Sequence, residues 1–128
     1  MSQSPAPHLD AAAESVRAFN HTSRSVGTDW KFPSDSYTAL GNLSYLVQML
    51  GQAVERSTVP AKHMYDQGRV RIDGKGLGAA DESMDELMAA QKDAVAAAAA
   101  LTAAVQRMHN ATSPMGTDTT GMEFEDDA

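Results

Sequence analysis

Residues 34–57 read SDSYTALGNLSYLVQMLGQAVERS, and this stretch decides the fold. Apolar side chains recur in it at spacings of three or four residues, at Tyr37, Leu40, Leu43, Val47, Leu50 and Val54. This spacing places side chains on one face of an α-helix. The pattern predicts a long helix over about 35–58, with Ser34 or Asp35 as its N-cap. Further apolar residues widen the face, so we expect neighbours to cover this helix on more than one side.

A second long helix is predicted over about 81–110. Its centre, residues 94–105, reads AVAAAAALTAAV, and a face so rich in alanine lets another backbone approach closely. Ser83 and Glu86 match a capping box at its start. Its predicted core positions follow the same spacing: Met84, Leu87, Gln91, Ala94, Ala98, Leu101, Val105 and Met108. The two long helices together predict an antiparallel, coiled-coil-like hairpin.

A shorter helix is predicted near the N-terminus, over about 10–24, with Asp10 as its cap. The next residues, 25–33, read SVGTDWKFP, where glycine and proline end the helical pattern. Trp30 and Phe32 alternate as they would in an extended segment, and we expect both rings to fold back onto the bundle. The predicted fold is therefore an all-α small helical bundle.

The remaining segments are predicted to be irregular. Residues 1–8 and the acidic tail 111–128 have the composition of disordered chain, and 59–80 reads as a basic, glycine-rich linker. The chain is then one helical domain over 9–110 with a disordered segment at each end.

Composition limits the classes of function. The chain has 128 residues, a net charge of -7 and no cysteine, which excludes a disulfide framework and a thiolate ligand or nucleophile. The first residues lack the features of a signal peptide, and no apolar run approaches the length of a bilayer span. We expect a cytoplasmic protein that does not insert into membranes.

No spacing of residues matches a catalytic, cofactor or metal signature, and the sequence predicts a protein that is not an enzyme. No two of the four histidines have the spacing of a helical metal pair. The acidic cluster at 81–86 is explained by the positive end of a helix dipole. Between Gly68 and the Gly74-Lys75 pair lie five residues where a phosphate-binding loop has four, which excludes that reading.

The leading hypothesis is a non-enzymatic interaction or oligomerisation module that binds a second copy as a homodimer, or another helical protein. The surplus of apolar positions on the 35–58 helix motivates it. The residues predicted to face a partner are Trp30, Phe32, Tyr37, Leu46 and Met49.

A second hypothesis is a nucleic-acid-associated accessory protein. Five basic residues are predicted to face an anion: Arg56, Lys62, Arg69, Arg71 and Lys75. The acidic tail would compete for them within the same chain. The overall negative charge makes this hypothesis the weaker one.

In architecture the predicted hairpin resembles the WXG100-type proteins, which are secreted helical hairpins of similar size. That resemblance implies a third possibility, a secreted helical-hairpin protein. The family's Trp-x-Gly turn is absent, because Trp30 precedes the first long helix and is followed by Lys31 and Phe32. Its Tyr-x-x-x-Asp/Glu motif is absent as well, so the likeness is one of architecture alone.

Overall fold

The computed structural model describes residues 4–75 and 77–122. These residues form four α-helices: α1 (Ala6–Thr22), α2 (Pro33–Ser57), α3 (Val59–Asp66) and α4 (Ala80–Thr112). A single 3₁₀ turn, Leu77–Ala79, leads into α4. The predicted all-α class and the two long helices are confirmed.

The chain divides into two compact units. One combines the chain up to Asp35 with the chain from Gly116 onward, and the other runs from Ser36 to Met115. The division after Asp35 falls inside the first turns of α2. The sequence shows no shift of composition at this point.

Helix α1 begins earlier than its predicted start. Pro5 is its N-cap residue and no side chain caps it, so the prediction that Asp10 caps this helix is wrong. The prolines fit here because the first turn of a helix needs no internal N–H partners. None of the residues of α1 is buried, although Leu9, Val16 and Phe19 form the predicted apolar stripe.

Trp30 closes a tight turn rather than lying in an extended segment. Its backbone pairs with that of Gly27 through two hydrogen bonds of 3.0 and 3.1 Å. Its indole N–H donates to the carbonyl oxygen of Ser23 at 3.1 Å, and its ring meets Phe19 edge-on at 5.7 Å. The turn therefore uses the tryptophan to cover the end of α1.

The start of α2 is set by Asp35. Pro33 is the first helical residue, so neither Ser34 nor Asp35 is the N-cap that we predicted. The Asp35 carboxylate instead accepts hydrogen bonds from the backbone N–H groups of Lys31 and Phe32, each at 3.0 Å. In a capping box, a side chain in the first turn bonds the backbone N–H of the residue before the helix, and Asp35 makes this bond with Phe32. These bonds, that from Phe32 first, lower the pKa of the Asp35 carboxyl below its ordinary value.

The segment 59–80 differs from the predicted linker. Its first third is helix α3, which continues almost directly from α2. Pro60 has no N–H to donate, so it interrupts the bonding of α2 but suits the first turn of a new helix. Turns at Gly68 and Gly74 follow, and each has the positive φ that glycine tolerates best.

Helices α2 and α4 pair in antiparallel orientation. Tyr37 near the start of α2 stacks on His109 near the end of α4. At the opposite end, the Thr58 hydroxyl reaches the side-chain oxygen of Gln91 at 2.5 Å. The predicted antiparallel hairpin is thus the framework of the Ser36–Met115 unit.

Helix α4 starts a few residues before its predicted capping box. Ala79 is the N-cap residue and no side chain caps the helix, so the capping role predicted for Ser83 and Glu86 is wrong. Asp81 accepts a hydrogen bond from the Tyr65 hydroxyl of α3 at 2.5 Å, which holds the two helices together. This bond is the main reason that the pKa of Tyr65 is raised.

Both tails differ from their predicted extents. Helix α1 already includes 6–8, and α4 includes 111 and 112. Residues 113–122 contain no helix, and the rest of the predicted acidic tail, 123–128, lies outside the described residues, as do 1–3.

Candidate functional site

The seam is the set of residues through which α2 and α4 face one another. On α2 the seam residues are Tyr37, Leu40, Ser44, Val47, Gly51 and Val54, and Thr58 directly after α2 continues the seam. On α4 they are Met84, Gln91, Ala98, Thr102, Val105 and His109. Six predicted core residues are missing from it. Leu87 and Ala94 are half-buried. The other four are exposed: Leu43, Leu50, Leu101 and Met108.

Small side chains explain this correction. A Cβ atom added to Gly51 would lie 4.0 Å from the Cβ of Ala98, so the two backbones come close together at that level. Leu43 and Leu50 are too large for such an approach, and Ser44 and Gly51 take their places. On α4 Thr102 and His109 likewise replace Leu101 and Met108, which shifts these seam positions by one residue while the seven-residue repeat is kept.

The seam is also polar. Ser44 is buried, and its hydroxyl donates to the side-chain oxygen of Gln106 at 2.7 Å while accepting from Gln48 at 3.3 Å. The Gln106 amide in turn donates to Asn110 at 3.2 Å. Within the described residues, every buried side-chain nitrogen or oxygen has a partner. These bonds set the register of the two helices.

An aromatic pair closes the open end of the hairpin. The rings of Tyr37 and His109 stack at 4.3 Å with an interplanar angle of 22°. The space for His109 exists because residue 41 is glycine, since a Cβ there would lie 3.2 Å from the imidazole Nε2. Neither the stacking nor the role of Gly41 was predicted.

The exposed large residues share one position relative to the seam. Each directly precedes a seam residue: Leu43 before Ser44, Leu50 before Gly51, Leu101 before Thr102 and Met108 before His109. A step back of one residue rotates a side chain by 100° about the helix axis. In two antiparallel helices that face each other, this rotation leads to the same side of the pair.

This common side is nonpolar over the central turns of both helices, and Ser36, Ser57 and Ser83 lie at its ends. We call it the apolar side; it consists of Leu43, Leu46, Leu50, Ala97, Leu101, Ala104 and Met108. Leu50 is 38% exposed, Leu101 47% and Met108 54%, so the apolar side is open to solvent. By contrast, Val47 of the seam is 3% exposed.

The opposite side of the hairpin carries most of the polar residues, together with Tyr45, Ala99 and Ala103. The residues that directly follow seam residues include Gln48, Gln52, Glu55, Gln106 and Asn110. Gln48 of α2 and Gln106 of α4 both bond the hydroxyl of Ser44, so residues of this class from the two helices meet at one seam residue. The hairpin is therefore amphipathic as a pair of helices.

Charge is absent from both helices along this part of the hairpin. Between Asp35 and Glu55 there is no Asp, Glu, Lys or Arg, and the same is true between Asp93 and Arg107. Helices at a protein surface normally carry charged residues on the face turned to water. A partner with an uncharged surface would therefore bind here without removing water from any charged side chain.

The residues predicted to face a partner lie in different settings. Trp30 and Phe32 are half-buried, and the indole of Trp30 is used within its own turn. Tyr37 stacks on His109, Leu46 is half-buried on the apolar side, and Met49 is 45% exposed beside it. Of the predicted partner-facing residues, Leu46 and Met49 thus lie on or beside the apolar side. The other large residues of this side, Leu43, Leu50, Leu101 and Met108, were predicted to lie in the core.

The five basic residues are spread along the chain: Arg56 lies in α2, Lys62 lies in α3, and the other three lie after α3. Arg56, Lys62, Arg69, Arg71 and Lys75 are all exposed. A shallow, open depression contains Arg69, Arg71 and the acidic Asp73. Within the described part of the chain, the one ion pair lies elsewhere, between Glu14 and Arg17 of α1.

The described residues contain no group of three or more histidine, cysteine, aspartate or glutamate side chains placed to hold a metal ion. A second open depression adjoins the Tyr65–Asp81 bond and is also lined by Asp66, Gly68 and Val70. None of the residues that line it is a serine or a cysteine.

Comparison with known proteins found no family model, no curated protein and no solved structure that matches this chain. Among the described residues, no helix combines the length and the hydropathy needed to cross a membrane.

Proposed function

We propose that this protein is a non-enzymatic helical interaction module that binds another polypeptide through the apolar side of its α2/α4 hairpin. One observation carries the proposal. The large residues of two long helices, Leu43, Leu50, Leu101 and Met108, lie on one side of the hairpin and are 38–54% exposed. Exposed apolar residues that cluster on one side of a domain are typical of protein interaction sites.

The rigidity of the hairpin supports this role. The hydrogen bonds of Ser44 and Thr58 with α4, and the Tyr37–His109 stack, hold the two helices in one register. A partner therefore meets a preformed surface, and little conformational entropy is lost when it binds.

Site-specific photo-crosslinking in the cells that express the protein tests this proposal. A photoreactive phenylalanine analogue at Leu50 is expected to form a covalent product with a polypeptide. The same analogue at Tyr45, which is 67% exposed on another face of α2, is the matched control. Two outcomes would contradict the proposal: no product from either position, or equal yields of product from both.

The basic residues support a second candidate, an accessory protein that binds nucleic acid. Their exposure beside the depression at Arg69 and Arg71 favours it. Fluorescence anisotropy with a short DNA duplex at low salt is the test. The doubly substituted Arg69→Gln/Arg71→Gln chain should bind more weakly than the unsubstituted chain, and equal or undetectable binding by both removes this candidate.

A further inference from the structure

We infer that the partner of the apolar side is a second copy of this chain, which packs its own apolar side against the first so that two hairpins form a four-helix bundle. This inference rests on the proposed function and names the partner of the same surface. In the bundle, α2 of each copy lies on α4 of the other, about a two-fold axis parallel to the helices.

The distribution of side-chain size favours this arrangement. The α2 half of the apolar side carries three leucines, Leu43, Leu46 and Leu50. The α4 half alternates small and large residues, with Ala97 and Ala104 leaving hollows beside Leu101 and Met108. Leucines of one copy fill the alanine hollows of the other, and the two-fold axis makes this fit twice.

The levels of the residues agree with this axis. Within one hairpin Gly51 lies level with Ala98, and Ser44 lies level with Gln106. An axis parallel to the helices keeps these levels, so Leu46 of one copy comes opposite Ala104 of the other. Each helix then has antiparallel neighbours on both sides, as in common four-helix bundles.

The area is of the size that a stable dimer needs. The helices pair from Tyr37 to Thr58, which is about 32 Å at about 1.5 Å per residue. Two helices packed side by side are about 20 Å wide, so the flat area of this whole side of the hairpin is about 640 Å². The apolar side itself, Ala97 to Met108 on α4, occupies about half of that length. Stable interfaces bury about 800 Å² per partner, and the accessible area of a ridged surface exceeds its flat area.

The charges also favour a second copy. A partner must tolerate a surface without Asp, Glu, Lys or Arg over the central turns of both helices, and the chain's own apolar side has the same property. Association of two such surfaces desolvates no ion. The charged residues that give the net charge of -7 all lie outside these central turns, so repulsion between two copies comes from other parts of the chain.

Sedimentation equilibrium of the full chain is the first test. We expect a monomer–dimer equilibrium, and Leu50→Glu should raise the dissociation constant by about 30-fold or more, as removal of a central apolar contact does. Tyr45→Glu is the matched control and should change it by less than about threefold. Circular dichroism of each variant checks that the helices are retained. A strict monomer, or a dimer insensitive to Leu50→Glu, overturns the inference.

Disulfide trapping tests the arrangement without altering the surface charge. Because the chain contains no cysteine, single substitutions report one contact each. An oxidised mixture of Leu46→Cys and Ala104→Cys chains should give the mixed disulfide in excess over either self-linked species. Absence of a covalent dimer, or self-linked Leu46→Cys as the main product, overturns the proposed axis.

The two proposals fail in different ways. A protein that is monomeric when pure, but that crosslinks through position 50 to a different polypeptide in cells, excludes the second copy and leaves the interaction module standing. A protein that is monomeric and forms no crosslink through position 50 excludes both.

Discussion

The seam and the apolar side of the hairpin are made of adjacent residues in the same two helices, yet they differ in side-chain size and polarity. In the seam Gly51 lies against Ala98 and the buried Ser44 bonds Gln106, whereas the apolar side presents leucine and methionine to solvent. Close approach of two backbones selects small residues, and the larger ones move to the flank. Apolar spacing alone does not therefore say which residues a helix buries.

The largest expected effect is the loss of stability when a charge is placed in the seam. Val47→Asp places a charge at a position that is 3% exposed and has no cation beside it. We expect the free energy of unfolding to fall by about 3 kcal/mol or more. Tyr45→Asp, at a 67% exposed position, should change it by less than about 0.5 kcal/mol. Urea denaturation at low protein concentration measures both, and equal losses would contradict the assignment of Val47 to the seam.

The polar contacts of the seam are expected to contribute less. Ser44→Ala removes a buried hydroxyl that bonds Gln106, and should lower the free energy of unfolding by about 1 kcal/mol. A double-mutant cycle with Gln106→Ala should show a coupling of about 1 kcal/mol, because the two residues share one bond. The same cycle between Ser44→Ala and Gln52→Ala should give a coupling near zero. Coupling of similar size in both cycles would contradict a specific bond.

Two glycines of α2 are expected to respond differently to alanine. Gly51→Ala meets only an ordinary contact with Ala98 and should stabilise the helix by about 0.5–1 kcal/mol. Gly41→Ala should stabilise it less, because the new Cβ displaces His109 from its stack on Tyr37. Thermal denaturation measures the difference. In a His109→Ala background the two substitutions should become equal, and a persistent difference would rule out this explanation.

The smallest expected effect is the pH dependence of the α2 cap. Hydrogen bonds from Phe32 and Lys31 lower the pKa of Asp35 below 3.8, its ordinary value. The stabilisation from this carboxylate is therefore fully present above pH 3.8 and is lost as the pH falls through the lower pKa of the folded state. Asp35→Ala should be less stable than the unsubstituted chain at neutral pH, and the difference should shrink in acid.

Asp118 provides the control for that measurement. Its carboxylate accepts a hydrogen bond from the backbone N–H of Thr120 at 2.9 Å, which lowers its pKa in the same way, but no helix begins there. Asp118→Ala should therefore leave the urea midpoint unchanged at every pH. A loss as large as that of Asp35→Ala would mean that the carboxylate does not act through the start of a helix.

The site was only partly predictable from the sequence. Leu46 and Met49 were assigned to a partner-facing surface, and they lie on or beside the apolar side. Leu43, Leu50, Leu101 and Met108 were assigned to the core because they fit a strict 3–4 spacing. The signal that was missed is the second register on α2, in which Ser44 and Gly51 keep the same spacing as the valines.

The sequence by itself determined the three longer helices, α1, α2 and α4, but not the short helix α3. Local properties suffice for that, since apolar spacing, alanine content and the positions of proline and glycine act within a few residues. Only the tertiary structure decided which register of α2 faces α4, that Asp81 bonds Tyr65 of α3, and which side of the hairpin stays open. Those outcomes depend on how closely two backbones approach, and that distance is set by residues far apart in the chain, such as Gly51 and Ala98.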